Sequence, residues 1–351
     1  MFSEFLSGLF GEPFWLVFKY VLVFYPVWVP IVLGLIFWNM WLQYIRALYR
    51  AKTEMVVLEI KLPREILKSP VAMEIALNVF NQVGDESTMI DKYWKGQYRA
   101  ISSLELASID GEVHFYMWIR KSIKNLVEAS LYAQYPDIEV YEVPDYTKNV
   151  AFDPAVMGLW GLEFVLTKPD PYPLKTYVDY GLDDDPKEEF KNDPLTALIE
   201  FLGSLKKGEQ AWYQIIIRAH KNEKRGGVWS EKYDWKKEAK SVIKDIIANA
   251  TNKPADKAKG SSLDLSKGEE ELIGDIERNM SKTAFDCGFR AIYFGNLDVY
   301  SKTNIPGLVG SFLQFNSNTA NGFKPANVTN VTYSWQDFGG IRINGMRRRM
   351  M

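Results

Sequence analysis

The chain has 351 residues, 47% of them hydrophobic and 14% aromatic, with 42 Lys and Arg against 44 Asp and Glu. A formal charge of -2 gives no global electrostatic case for nucleic acid, and the apolar content is enough for a sizeable core and argues against long-range disorder. The single cysteine, Cys287, precludes an internal disulfide and fits a reducing compartment, while two histidines, His114 and His220, make a histidine-based metal site improbable.

The first strong pattern is Phe14 to Leu42, FWLVFKYVLVFYPVWVPIVLGLIFWNMWL, which is apolar almost throughout. No charged side chain occurs between Lys19 and Arg46, about 26 residues, and about 20 residues at 1.5 Å rise suffice to cross a bilayer core. Lipid leaves no partner for open backbone groups, so a spanning segment here, about 14–45, is helical. Pro26 and Pro30 each remove a donor and either kink that helix or divide it into an interfacial piece and a span proper. A cleaved signal peptide fits worse, because the start carries Glu4 and Glu12 rather than basic residues. Trp15, Tyr20 and Trp28 toward one end and Trp38 and Trp41 toward the other are suited to the two headgroup belts. Arg46, Arg50 and Lys52 follow the span, so the positive-inside bias expects the N-terminus outside and the rest in the cytoplasm.

After the anchor (1–52), Met55 to Leu62 reads as a strand that Pro63 stops. Ser69 and Pro70 start a helix whose apolar face includes Ala72, Ala76, Val79 and Val83, and Gly84 ends it. Ser103 to Ile109 and Glu112 to Arg120 form a hairpin at Asp110-Gly111, a dipeptide that tolerates positive φ. His114, flanked by Val113 and Phe115, is expected on the polar face or in a hydrogen bond rather than as a ligand. Ser122 caps a helix through Leu131, and Ile138 to Val143 is the next strand. Strand, helix, two strands, helix, strand predicts a ferredoxin-like split βαβ subdomain over 53–148.

The pattern then repeats over 149–325. Leu159 to Thr167 and Lys175 to Tyr180 read as strands, and 183–192 as an acidic loop. Asp193 caps a helix with the stripe Leu195, Leu198, Ile199, Leu202 and Leu205, and Gly208 closes it. Gln210 to Ala219 is a buried-type strand. From 221 to 282 the chain turns polar, with one amphipathic helix through Trp235, Ala239, Val242 and Ile246 and another through Leu272, Ile276 and Met280. Residues 252–267 between them read as a linker. Phe289 to Phe294 is a strand and Ile305 to Phe315 a helix, and 326–351 is an irregular tail ending on Arg347, Arg348 and Arg349. The expected fold is therefore α+β: a transmembrane helix, then two ferredoxin-like subdomains, the second with a helical insertion.

Chemistry-bearing motifs are sparse. No G-x-x-x-x-G-K-[ST] occurs, and the glycines at Gly307 and Gly310 lack the lysine that reaches phosphates. No G-x-S-x-G, H-E-x-x-H or kinase signature appears. The runs Asp183, Asp184, Asp185 and Glu269, Glu270, Glu271 are expected to be solvated rather than to bind a metal. No catalytic residue and no cofactor is expected. Trp160, Trp212, Tyr213, Trp229 and Trp235 fit core packing better than base stacking.

Several segments resemble one family. LEIKLPREILKSPVAMEIALNVF (Leu58 to Phe80), YAQYPDIEVYEVPDY (Tyr132 to Tyr146), DPLTALIEFLGSLKKGEQAWYQIIIRAHK (Asp193 to Lys221), FRAIYF (Phe289 to Phe294), GSFLQFN and NGFKP are similar to the N-terminal region of bacterial type IV secretory system conjugative DNA transfer proteins. The resemblance implies a non-catalytic anchoring module of a DNA or protein translocation machine at a bacterial inner membrane. Its partners would be the lipid bilayer, other secretion subunits including an ATPase, and copies of itself. The departure is the missing Walker motif, so the motor is expected either downstream in a longer polypeptide or as a separate subunit. The rival readings are a membrane-tethered nucleic-acid-binding module, which the net charge does not favour, and an enzyme with a cleft between subdomains, for which no motif speaks.

Overall fold

The computed structural model describes residues 19–20, 23–63, 69–82, 88–182, 194–222, 232–251, 265–329 and Gly345. In chain order the elements are α1 (Tyr25–Lys52), β1 (Met55–Lys61), α2 (Pro70–Leu77), α3 (Val79–Gln82), α4 (Met89–Tyr93), β2 (Ile101–Ile109) and β3 (Glu112–Arg120). Then follow α5 (Lys124–Gln134), β4 (Glu139–Val143), β5 (Met157–Leu166), α6 (Pro194–Gly203) and β6 (Glu209–Ala219). The last are α7 (Trp235–Thr251), α8 (Lys267–Ser281), β7 (Phe285–Asn296), α9 (Asn304–Leu313) and β8 (Phe323–Ala326). The architecture is α+β, with one long apolar helix near the N-terminus and an eight-stranded antiparallel sheet. By contacts the chain falls into two units, Met1–Thr53 with Asp85–Tyr98, and Glu54–Gly84 with Arg99–Met351.

In the first unit, α1 begins where proline is tolerated. Pro26 sits in its first turn, where its missing N–H has no intrahelical acceptor to lose. Of the two outcomes left open by Pro26 and Pro30, the chain breaks at Phe24, ahead of Pro26, and runs on as one helix through Pro30. Arg50 and Lys52 occupy its last turn, where cations meet the negative end of the helix dipole.

In the second unit the strand order is β4-β1-β3-β2-β6-β7-β5-β8. The first four strands by sequence stand in the order 4-1-3-2, and the next four continue from them in the mirrored order. The two sets meet where β2 pairs with β6, from Ile101↔Arg218 to Ile109↔Gln210. Side chains alternate across a strand, so each strand feeds both faces. On one face Val56, Leu58, Ile60, Met117 and Ile119 pack against Ala76, Val79, Phe80, Val127 and Leu131 of α2, α3 and α5. Leu162, Phe164, Ala211, Tyr213, Ala291 and Tyr293 likewise pack on Leu198 and Leu202 of α6 and Leu308 and Phe312 of α9. Ile217 in the first core and Tyr213 in the second are in phase along β6, so both cores lie on one face. The opposite face buries Val57, Ala107, Tyr116, Trp212, Ile292 and Phe294 under Tyr146, Val150 and Phe152 of the chain that leaves β4.

Local chemistry accounts for the boundaries. Ser69 Oγ accepts from Val71 N at 3.4 Å, with Pro70 as the first helical residue. Asp110 (φ 57°) and Gly111 (φ 88°) make the β2–β3 turn, and a Cβ on Gly111 would lie 2.5 Å from Leu205 O. Two expectations need correction. Lys175 to Tyr180 is not a strand: Asp179 Oδ2 accepts from Thr176 N at 2.5 Å and Thr176 Oγ1 at 3.0 Å, closing a turn that Gly181 (φ 65°) finishes. Ser122 caps no helix, because Lys121–Ile123 is a 3-10 turn and α5 starts at Lys124 without a side-chain cap. Strand β8 was unforeseen, as was the Ser266–Glu269 capping box of α8. Gly84, Asp183 to Asp185, Asp193, Trp229, Arg347 to Arg349 and most of the 252–267 linker lie outside the described residues.

Candidate functional site

The sequence places its functional residues on the anchor, and Trp15 among them lies outside the described residues. Tyr20 (57%), Trp28 (41%) and Trp38 (42%) are exposed, and none of the most apolar stretch of α1 is buried inside the protein. A soluble protein hides such a helix; this one presents Ile31, Leu33, Leu35, Ile36, Phe37 and Met40 outward. From Tyr25 to Arg46 the helix rises about 32 Å at 1.5 Å per residue, matching a hydrocarbon core of about 30 Å. Tyr20, Tyr25 and Trp28 fall near one end of that length, Trp38, Trp41 and Tyr44 near the other, and Arg46 and Arg50 beyond it.

The C-terminal half of α1 carries a clamp that no local sequence pattern announces. Thr88 caps α4 by accepting from Asp91 N at 3.1 Å, and the chain then runs down α1. Trp41 Nε1 donates to Tyr93 O at 3.0 Å, and the Trp38 and Tyr93 rings lie 5.5 Å apart. Gly96 (φ 67°) presses on the helix backbone so closely that a Cβ there would sit 2.4 Å from Ile45 O. Tyr98 meets Tyr49 edge to face at 5.5 Å. Of the predicted anchor residues, the structure thus brings Trp38 and Trp41 onto this segment and leaves Tyr20 on the exposed helix surface. Thr88, Tyr93, Gly96 and Tyr98 went unread, and the only local signal was the aromatic and lysine content of MIDKYWKGQY.

The second unit holds two polar clusters. Glu59, Tyr116, Glu105, Gln214, Arg290 and Glu163 stand in one register row across six strands. Within it Arg290 Nε donates to Gln214 Oε1 (2.6 Å), Gln214 Nε2 to the Tyr146 hydroxyl (3.2 Å), and that hydroxyl to Glu105 Oε2 (2.5 Å). Burial, then the charge and hydrogen bond of Glu105, push the Tyr146 phenol far above its usual range. His114 Nδ1 lies 2.7 Å from Glu59 Oε1, so this histidine is hydrogen-bonded on the polar face.

The other cluster gathers at the ends of β6 and β7. Arg218 Nη2 donates to Asp286 Oδ2 at 2.7 Å, His220 Nδ1 lies 2.8 Å from Oδ1, and Arg99 Nη1 lies 3.5 Å from Oδ2. Burial pushes the Asp286 carboxyl up, but the hydrogen bonds from His220 and Arg218 and their charges outweigh it and hold the group below its usual value. A cleft of about 730 Å³ lies beside His220, Tyr233, Lys282 and Asp286. Both histidine rings are tied to carboxylates, and these groups read as structural locks on the sheet. Of the aromatics expected in the core rather than stacking on bases, Trp212 and Tyr213 are core residues, 1% and 3% exposed. Among the described residues no three His, Cys, Asp or Glu side chains converge as metal ligands do.

No protein-family model matches the chain, and no curated protein matches it.

Proposed function

We propose that this protein is a membrane-anchored assembly module of a type IV secretion or conjugation-like machine, acting by position rather than by catalysis. The observation that carries the reading is the exposed apolar helix α1, which ends at Lys52 three residues before the first strand of an eight-stranded sheet begins at Met55. Arg46, Arg50 and Lys52 support a single-pass orientation with the N-terminus outside and the sheet on the cytoplasmic side. The mirrored 4-1-3-2 strand orders support the view that each half is a ferredoxin-like split βαβ unit, with α7 and α8 inserted between β6 and β7 of the second. Such a module offers neighbours its sheet edges. The β8 edge carries Pro325, which blunts strand addition, whereas β4 is exposed along Glu139, Tyr141 and Glu142 and is the edge that a second copy or a motor subunit would engage.

The test has two parts. Alkaline carbonate should leave the full chain in the membrane pellet, and protease added to the cytoplasmic side of inverted vesicles should digest the sheet unit. Reconstituted chain should then raise the membrane-bound fraction of a P-loop translocation ATPase from the same apparatus while hydrolysing no ATP itself. An ATPase whose membrane association is indifferent to this chain sinks the assembly role.

A further inference from the structure

The turn of helix α4 is inside out for a protein in water. Its acidic residue, Asp91, is buried at 9% and held by Thr88 Oγ1 at 2.6 Å and Lys95 Nζ at 2.8 Å. Its apolar neighbours Met89 (73%), Ile90 (63%) and Trp94 (66%) point outward. An exposed apolar cluster of this kind on a helix whose polar group faces inward marks a contact surface.

The clamp sets the height of that surface on α1. Tyr93 meets the helix at Trp38 and Trp41, Gly96 at Ile45, and Tyr98 at Tyr49, so the segment runs parallel to α1 and reaches the Trp38–Trp41 level at α4. Phe37 (65%), Met40 (64%) and Tyr44 (59%) expose apolar surface at that same level. We infer that Met89, Ile90 and Trp94 form a second membrane contact, seated at the boundary between phospholipid headgroups and acyl chains beside the cytoplasmic end of the span. The inference rests on the membrane-anchor reading of α1.

Three observations favour lipid over a second copy of the chain as the occupant. Tyr93, next to Trp94 in the chain, packs on Trp38, and Trp41 stacks on the exposed Phe37, so the cluster lies beside the apolar surface of the span. Its composition, one tryptophan and two aliphatic side chains with Lys92 and Lys95 in the same short stretch, is that of an interfacial segment whose rings sit at the headgroups while lysines reach the phosphates. Lys95 keeps 60% of its side chain exposed even while paired with Asp91. Two attachments, the span and the interfacial turn, would fix the rotation of α1 about its axis, which a lone helix leaves free.

Cys287 is exposed and is the only cysteine, so it permits a clean test with the full chain in vesicles of phosphatidylcholine and phosphatidylglycerol. An environment-sensitive dye is attached at Met89→Cys in a Cys287→Ser background, with Ile90→Cys as a second position. Leu33→Cys, exposed near the middle of the uncharged run, reports the span and native Cys287 reports the sheet unit. Expected are a blue-shifted emission at positions 89 and 90, quenched more by a nitroxide near the headgroup than by one deep in the acyl chain. Position 33 should be quenched by the deep nitroxide and Cys287 by neither. Quenching at 33 but not at 89 and 90 overturns the interfacial contact and leaves the anchor standing. A blue shift at 89 that grows with protein concentration and ignores the nitroxides assigns the surface to a second copy and overturns it as well. No quenching at 33 removes the span and this contact together.

Discussion

Glu209 is an acidic side chain with 2% of its surface exposed, and its environment shows how this sheet satisfies a buried polar group. Its Oε1 accepts from the Tyr293 hydroxyl and from Asn304 Nδ2 at 2.9 Å, and its Oε2 accepts from Lys206 N at 2.8 Å. Tyr293 is pushed up to about 12 by burial and then by the hydrogen bond it donates to Glu209, so it stays protonated and donating throughout the physiological range. Tyr293→Phe keeps the ring and removes that donor, leaving a buried carboxylate short of one partner at a cost of about 1–3 kcal/mol. Urea unfolding should show a lower midpoint with an unchanged slope. Asp286 supplies the pH dependence. Its folded pKa is depressed, so its contribution is present above the ordinary carboxylate value of about 4 and is lost as pH falls through the folded value. Wild type should therefore exceed Asp286→Asn in stability at neutral pH, and the gap should close on acidification below pH ~4. A gap that persisted or widened in acid would mean that Arg99, Arg218 and His220 do not act through the Asp286 charge.

At the scale of the element, Gly96 decides whether the 88–98 segment stays on α1. Alanine there meets two obstacles, a positive φ of 67° and a Cβ 2.4 Å from Ile45 O, and backbone atoms cannot step aside as a flexible side chain can. Gly96→Ala should cost the segment about 1–3 kcal/mol of local stability and raise proteolysis and amide exchange within 88–98, with the sheet unit protected as before. Equal exchange in variant and wild type would show that the segment is held by something other than this close approach. The same segment shows what a sequence reading reaches and what it misses. Alternation at its end revealed β1, the Asp110-Gly111 turn revealed β2 and β3, a buried-type apolar run revealed β6, and the spacing of Leu195, Leu198 and Leu202 revealed α6, because those signals are local. Lys175 to Tyr180 has strand-like composition, but an aspartate side chain captured its backbone. Strand β8 is four residues long with a proline, and nothing in it announces pairing with β5. The long apolar helix α1 was legible from a long uncharged run, whereas the clamp on Trp38 and Trp41 depends on a glycine fitting a helix about 50 residues away in sequence, which no local pattern encodes.

The sheet joins the two halves of the second unit more tightly than a repeat in sequence implies. The β2–β6 pairing is an unbroken antiparallel ladder, and its partners are matched by tertiary fit, so neither strand's own pattern names the other. Side chains cross the join. Ile217 of β6 belongs to the core of the first half, Leu106 and Val113 of the first half pack on the core of the second, and Ser108 Oγ donates to Leu202 O of α6 at 2.7 Å. On the opposite face Trp212 stands edge to face with Tyr146 at 5.0 Å and with Phe294 at 4.8 Å, so one indole binds the chain leaving β4 to β7. Two domains linked by a flexible tether would unfold separately, but halves that complete each other's cores have no stable single-half intermediate. Leu58→Ala, a cavity fully inside the first half, should cost about 2–5 kcal/mol. Its effect should be felt everywhere: a dye on Cys287 in β7 and tryptophan emission should report one coincident urea transition, shifted by the same amount in the variant. If the Cys287 probe kept the wild-type midpoint while tryptophan emission split into two steps, the β2–β6 ladder would be a contact between independent domains.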